Sequence, residues 1–327
     1  MLWPLTGLAV LFGLAVVLVI AGWLYVHGRL DTPGPARYER TVVLPQGASA
    51  FDIADLLEDA GVIDDPLLFV AGLWIEDKQH SLKAGEYMFE ALVTPRGVME
   101  KLIAGDTVMH RLTVTEGTTS AEVVAALDAV PWLMGDIAEV PAEGSLLPET
   151  YHYELGDSRA GMIERMQHAM ARVVDELWQA RDPSVALDDA EQAVVLASIV
   201  EKETAVADER PMIAGVFLNR LGQGMRLQSD VTVIYALTDG KRSLDRSLSR
   251  ADLRVESPYN TYRNGGLPPG PIANPGRASL AAVLNPAETD ALYFVADGSG
   301  GHAFAKTLDE HNRNVARWRA KRRAEKK

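Results

Sequence analysis

Two glutamates separated by one residue follow a strongly apolar segment and are the first candidates for acid–base chemistry. Residues 193–200 are apolar on every side, so as a helix they should be buried, and they lead directly into Glu201, Lys202 and Glu203. A helix C-terminus usually reaches solvent and disfavours carboxylates, so spacing alone favours a solvated helix end. Against this, the small apolar face preceding Glu201 would desolvate its carboxyl and favour the protonated form, as an acid catalyst requires.

A second group of candidates lies in and near a stiff loop. Four prolines and four glycines between residues 265 and 276 exclude regular structure, and long rigid loops in compact domains are often functional. Just before them, Tyr259, Asn260 and Tyr262 are residue types that suit a sugar site, because rings pack on pyranose faces and amides bond hydroxyl and acetamido groups. The alternative is a surface loop packed on its own side chains.

Two further polar residues precede a short predicted helix. Gln228 is a candidate for substrate binding. Asp230 is a weaker candidate, because capping the helix that leads to Leu237 would explain it equally well.

Composition excludes several classes of function. The chain has 327 residues, and 45 acidic against 32 basic side chains give a net charge of −13, which disfavours nucleic acid as a partner. The absence of cysteine excludes disulfides, thiolate metal sites and a cysteine nucleophile.

The N-terminus predicts a single transmembrane anchor over residues 1–27. Residues 5–26 carry no charge and are flanked by tryptophan and tyrosine, as expected of a bilayer span. A cleaved signal peptide would have a shorter apolar region and a basic start. The first arginines follow the span, so loop charge does not support an external body.

The remainder of the chain predicts an α+β protein with two further parts. Prolines and a glycine within residues 28–40 predict a linker. Residues 41–107 predict a small α+β module, whose turn-then-helix order resembles LysM-like wall-binding modules. Residues 108–327 predict a larger, mainly helical domain with a hairpin near its C-terminal end.

Six motifs, in order over residues 190–305, resemble those of the endolytic murein transglycosylase (YceG-like) family. They are LASIVEKETA, VFLNRL, GMRLQSD, SPYNTY, GLPPGPIANPG and YFVADGSGGHAF. The resemblance implies a catalytic domain that spans residues 108–327. It also implies that Glu201, the first glutamate of EKET, is the catalytic residue, with Glu203 as the lesser candidate.

The reaction implied by the resemblance is non-hydrolytic cleavage of the β-1,4 bond between N-acetylmuramic acid (MurNAc) and N-acetylglucosamine (GlcNAc). One carboxyl protonates the leaving oxygen and then accepts the proton of the muramic acid C6 hydroxyl, which leaves a 1,6-anhydro end without a cofactor. The substrate-binding candidates are Gln228, Asp230, Tyr259, Asn260 and Tyr262.

The same resemblance implies a setting in the cell. Peptidoglycan glycan strands are the expected partner, and cell-wall synthases are a further class of partner that the sequence does not identify. The expected location is the plasma (inner) membrane, as a single-pass protein with its catalytic body on the periplasmic or extracytoplasmic side. Two alternatives stay open: a hydrolytic muramidase with Asp230 or Glu203 as second carboxylate, and a non-catalytic wall-binding protein.

Overall fold

The computed structural model describes residues 3–325, and the side chains of residues 10–324, as eleven α-helices and six short strands. The helices are α1 (Trp3–Leu30), α2 (Ala50–Asp59), α3 (Pro66–Ile75), α4 (Pro95–Ala104), α5 (Ser120–Asp128), α6 (Arg159–Gln179), α7 (Ala190–Glu203), α8 (Arg210–Gly222), α9 (Asp230–Thr238), α10 (Arg277–Leu284) and α11 (Leu308–Glu325). The strands are β1 (Arg40–Leu44), β2 (Gly85–Phe89), β3 (His110–Thr113), β4 (Thr150–Tyr153), β5 (Tyr293–Ala296) and β6 (His302–Ala305). They form three two-stranded sheets, β1–β2, β3–β4 and β5–β6, which confirms the α+β class.

The described chain divides into two compact units. The first comprises residues up to His110 together with His152–Gly156. The second comprises Arg111–Tyr151 and the chain from Asp157 onward. All the catalytic and substrate-binding candidates lie in the second unit.

The first unit contains a β–α–α–β arrangement made from β1, α2, α3 and β2. The two strands are antiparallel, with Arg40 opposite Phe89. Helix α2 begins with a reciprocal capping box between Ser49 and Asp52, because the hydroxyl and the carboxylate each satisfy a free N–H at the helix start. Its core contains the fully buried side chains of both strands and both helices, among them Leu57, Phe69, Leu73, Tyr87 and Phe89.

The predicted linker, residues 28–40, packs against this unit instead of running free. Leu30, the last residue of α1, is fully buried in its core. The Gly34 N–H donates to the Val93 carbonyl over 3.0 Å, and a Cβ at Gly34 would lie 2.5 Å from that oxygen. The segment thus contacts the unit at Leu30, Gly34 and Ala36, while most of its other residues are exposed.

Helix α1 has the length and composition of a membrane span. Within it, residues Val10–Leu30 have a mean hydropathy of 2.3. At 1.5 Å per residue, a span of this kind covers roughly 30 Å, the thickness of a hydrocarbon core. The helix is compatible with the predicted anchor.

The second unit is built around α7. Residues 193–200 are all buried, which confirms the predicted buried helix, and they pack against α6, α8, α9 and α10. The predicted hairpin is also present, with β5 and β6 antiparallel and Ala296 opposite His302. This arrangement surrounds the C-terminal end of α7, where both candidate glutamates lie.

Candidate active site

Glu201 and Glu203 point to different surroundings at the end of α7. Two residues along a helix of 3.6 residues per turn correspond to a rotation of about 200°, so the two side chains leave on opposite sides. Each carboxyl therefore belongs to a separate group of residues.

The Glu201 carboxyl is fixed by charged and backbone donors. Its side chain is only 4% exposed, and its two oxygens accept hydrogen bonds from Arg210 Nη2 at 3.2 Å and from the Gly276 N–H at 2.9 Å. Arg210 and Gly276 lie at the N-terminal ends of α8 and α10, where the helix dipole also favours an anion. The small apolar face expected before Glu201 is buried, and the carboxyl has a guanidinium and a backbone N–H as additional partners.

A third glutamate, Glu116, joins the Glu201 group and was not predicted. It shares Arg210 Nη2 with Glu201, at 3.3 Å. A Cβ at Gly276 would lie 2.0 Å from a Glu116 oxygen, so a side chain there would displace the Glu116 carboxyl. Partial burial and the neighbouring charge of Glu201 raise the pKa of Glu116, and Arg210 opposes this. The only sequence signal was a glycine turn at residues 115–117, which has a sufficient structural explanation by itself.

Glu203 has the environment expected of a proton donor. Burial raises the pKa of its carboxyl, the nearby charge of Asp230 raises it further, and His302 and Arg220 oppose this. One oxygen accepts a hydrogen bond from Ser229 Oγ at 2.5 Å. The carboxyl itself is buried, although the residue as a whole is partly exposed. A buried carboxyl whose protonated form is favoured is a candidate for general acid catalysis.

Three of the predicted binding residues lie on segments that meet beside Glu203. The Tyr262 hydroxyl donates to Asp230 Oδ1 at 2.6 Å, and Gln228, next to Ser229, donates its N–H to the Thr261 carbonyl at 3.3 Å. Gln228 has φ +50°, an uncommon conformation outside glycine and one that occurs often in functional sites. The geometry thus brings Gln228, Asp230 and Tyr262 together with Glu203 and not with Glu201.

The alternative role of Asp230 as a helix cap is wrong. Helix α9 begins at Asp230, and Ser229 is its N-cap residue, with no side-chain capping bond. Asp230 instead accepts the hydrogen bond from Tyr262, and burial together with this bond raises the tyrosine pKa.

Asn260 and Tyr259 differ from the expectation for substrate-binding residues. Asn260 is fully buried; its amide donates to the carbonyls of Leu253 and Val255 at 3.2 and 2.9 Å, and its oxygen accepts from the Tyr262 N–H at 3.0 Å. Its side chain closes the loop, so the packed-loop alternative describes it better. Tyr259 is half-buried, with its ring centroid 4.8 Å from that of Tyr235, outside the contacts around Glu203.

A buried arginine holds the segments around Glu203 in place. Arg220 on α8 donates from Nε to the Leu292 carbonyl and from Nη1 to the Leu227 carbonyl, both at 2.6 Å. These bonds join the start of the hairpin to the segment that carries Gln228. Burial lowers the Arg220 pKa, and the neighbouring Glu203 and two tyrosines oppose this.

The described residues contain no group of three or more histidine, aspartate or glutamate side chains arranged to hold a metal ion.

The sequence that forms this site also matches a known protein family. The YceG-like family matches residues 42–317, and the chain belongs to that family.

Its relatives carry one functional name. The chain is 32% identical to the endolytic murein transglycosylase of Bacillus subtilis (strain 168), over 90% of each chain. It is 29% identical to the endolytic murein transglycosylase of Streptococcus pneumoniae (strain D39), matching 84% of this chain and 58% of that protein. The chain thus spans little more than half the length of the pneumococcal relative. A crystal structure of a yceG-like protein from Listeria monocytogenes is similar, with 33% identity, a TM-score of 0.51, and coverage of 85% of this chain and 99% of that one.

Proposed function

We propose that this protein is a peptidoglycan lytic transglycosylase that cleaves the β-1,4 MurNAc–GlcNAc bond and leaves a 1,6-anhydro-MurNAc end. The observation that carries the proposal is the setting of Glu203, whose carboxyl has a raised pKa and lies beside Ser229, Asp230 and Tyr262. The names of the relatives, endolytic murein transglycosylase, support the same reaction class.

Glu203 is the better candidate for the catalytic acid, although the sequence ranks Glu201 first. A general acid must hold a proton and reach the substrate. Both Glu201 oxygens already accept hydrogen bonds from Arg210 and Gly276, and the side chain has almost no open surface. Glu203 accepts from Ser229 beside the predicted binding residues and its protonated form is favoured, so we place it first and keep Glu201, the residue that the family resemblance indicates, as the alternative acid.

The reaction proceeds with a single glutamate in the following way. The Glu203 carboxyl gives its proton to the glycosidic oxygen as the bond from MurNAc C1 to that oxygen breaks. The C6 hydroxyl of the same sugar attacks C1, and a base accepts the hydroxyl proton; the Glu203 carboxylate is available for this. Because the nucleophile belongs to the substrate, no second reactant has to be positioned. Hydrolases, by contrast, need a second carboxylate to activate water or to attack the sugar.

The first unit is proposed to act as a LysM-like wall-binding module. Its β–α–α–β order supports this, and so does a cleft of about 360 Å³ lined by Ser49, Phe51, Trp74, Gln79 and His80, among other residues. The Phe51 and Trp74 side chains are 52% and 60% exposed. Exposed aromatic rings beside polar groups suit sugar binding.

The proposed location follows from α1 together with the substrate. A single apolar helix at the N-terminus would anchor the protein in the plasma (inner) membrane, and a wall substrate requires the body to lie on the extracytoplasmic side. Cell-wall synthases are proposed as partners because they make the strands on which the enzyme would act.

Activity of two matched variants tests the assignment of the acid. Glu203→Gln keeps the side-chain shape but cannot give up a proton, so cleavage of purified glycan strands should fall about 10²–10⁴-fold. Glu201→Gln should lose less activity, in proportion to any loss of folded protein measured by circular dichroism. A nearly inactive, fully folded Glu201→Gln protein beside an active Glu203→Gln protein would reverse the assignment.

A further inference from the structure

We propose that the exposed positive charge of α11 binds the anionic phospholipid headgroups of the membrane that holds α1; this rests on the membrane anchoring that forms part of the proposed function. Residues 313–323 of this helix, called the basic cluster below, contain six cations and no acidic residue. The six are Arg313, Arg317, Arg319, Lys321, Arg322 and Arg323.

The basic cluster has the opposite charge to the rest of the chain. The whole chain carries a net charge of −13, whereas the basic cluster carries +6. An anionic surface therefore repels the molecule as a whole and attracts this segment. Electrostatics alone thus favours one orientation of the second unit at such a surface, with α11 towards it.

Helix α11 packs through one face and leaves its cations on the other. His311, Asn314, Val315 and Trp318 are buried or half-buried, and their spacing of three or four residues places them on one face, against β5 and β6. All six cations are exposed. Residues 319–324 are exposed without exception, so the last turns have no buried face and their charges are open to a partner.

The helix dipole explains only part of the basic cluster. Cations in the last turn of a helix offset the partial negative charge of its C-terminus, and Arg322 and Arg323 lie there. This effect fades within one turn. Arg313 lies about three turns before the end of the helix, so the dipole does not account for the cations in its first half.

Partners within the protein do not neutralise the basic cluster either. Lys321 Nζ donates to the Asp297 carbonyl at 3.3 Å, and its charge also interacts with the Asp297 carboxylate. The Arg322 guanidinium lies 5.1 Å from the centroid of the Trp318 ring. In the part of the chain that the structure describes, none of the six cations forms an ion pair. Their charge is available to an external anion.

A bilayer with anionic headgroups suits the composition and the position of the basic cluster. Five of the six cations are arginine, whose planar guanidinium can bind two phosphate oxygens at once. Helices with clusters of about four to eight basic residues are typical of segments that bind anionic lipids. Because α1 would already hold the chain at a bilayer, α11 would meet the headgroups at a high effective concentration.

Energy transfer from α11 to the bilayer tests this interaction in the full-length protein. The chain has no cysteine, so Ala320→Cys gives a single labelling site on the exposed part of α11. The labelled protein is reconstituted with an acceptor lipid in vesicles of phosphatidylcholine, or of phosphatidylcholine and phosphatidylglycerol in equal amounts. Energy transfer should be about twofold higher or more in the anionic vesicles. It should return to the neutral value in about 1 M salt, where the Debye length is about 3 Å.

Charge reversal identifies the residues responsible. Arg317→Glu with Arg319→Glu lowers the charge of the basic cluster from +6 to +2, and each new glutamate lies four residues before a cation, Lys321 or Arg323, which supports the helix. This protein should lose the increase in energy transfer and keep the wild-type circular dichroism spectrum. The matched control changes two exposed arginines outside α11, Arg242→Glu with Arg250→Glu, and should behave like wild type.

The possible failures can be told apart. Equal energy transfer in the two kinds of vesicle, or an increase that persists after charge reversal in α11, would overturn the proposal while leaving the anchor in place. Loss of the protein from neutral vesicles on flotation would overturn the anchor and the lipid contact together. If charge reversal instead weakens binding to walls that retain their anionic polymers, with equal transfer in both vesicles, the partner is a wall polymer and the lipid proposal is wrong. Mass spectrometry of released glycan ends tests the reaction separately.

Discussion

The different roles proposed for Glu201 and Glu203 depend on what each carboxyl contacts. Glu201 accepts from a guanidinium and from a backbone N–H. Glu203 has one hydroxyl donor, a nearby carboxylate and a raised pKa. Ionisation of Glu203 therefore acts against the fold, because burial raises the pKa of its carboxyl.

Substitution of the two glutamates should change stability in opposite directions. A carboxyl whose pKa is raised by folding loses stability as pH rises through the interval between its unfolded and folded pKa values. Glu203→Gln removes this loss, so its Tm should exceed that of wild type at pH 7–8 but not at pH 4. Glu201→Gln leaves Arg210 with only Glu116 as a partner and should cost about 1–3 kcal/mol at pH 7. Thermal unfolding across pH measures both, and a stabilised Glu201→Gln protein would contradict the assignments.

Two loop substitutions should separate a contact with substrate from a structural bond. Tyr262→Phe removes only the hydroxyl that donates to Asp230, so kcat/KM should fall about tenfold with a stability change below about 1 kcal/mol. Asn260→Ala removes three buried hydrogen bonds and should cost about 2–4 kcal/mol of stability. Chemical denaturation and kinetics on glycan strands provide the readouts. A stable but inactive Asn260→Ala protein would restore Asn260 as a binding residue.

The residue types in the site could be predicted from sequence, but the directions in which their side chains point could not. The motifs identify the glutamates and the tyrosines of the loop. Which side of α7 faces that loop depends on segments distant in the chain, such as Thr261 with Ser229, and Gly276 with Glu201. Asn260 illustrates the same limit, since an amide can bind a sugar or close a turn.

Secondary-structure elements with strong local signals were predictable. Helix α7 has an uninterrupted apolar run, the capping boxes at Ser49 and Thr119 have the right spacing, and the 292–305 hairpin contains a glycine turn. The packing of residues 28–40 was not predictable from sequence. Prolines and glycine indicate an irregular path but do not indicate which residues that path contacts. The close approach of Gly34 to Val93 is a tertiary contact with no local pattern.

Wall binding by the first unit should depend on the cleft beside α3. Trp74→Ala removes an exposed ring from that cleft, so binding of the full-length protein to purified glycan strands should weaken about tenfold or more. Leu67, on the same helix, is 72% exposed and does not line the cleft, so Leu67→Ala is the matched control. Co-sedimentation measures both variants, and equal binding would remove the cleft from the proposal.

For the whole molecule, the proposed function combines three parts. They are an apolar N-terminal helix, a small β–α–α–β unit and a helical unit that holds the glutamate site. The net charge of −13 argues against attraction to an anionic strand by overall charge. The proposed recognition of the strand therefore relies on local hydrogen bonds and ring stacking.

The most direct test of the central claim is mass spectrometry of the ends that the full-length wild-type protein releases from purified peptidoglycan. Attack by the C6 hydroxyl should leave MurNAc ends lighter by one water than hydrolytic ends, and Glu203→Gln should release almost none. Ends of ordinary reducing mass would make the protein a muramidase. The absence of any release by wild type would leave only a wall-binding role.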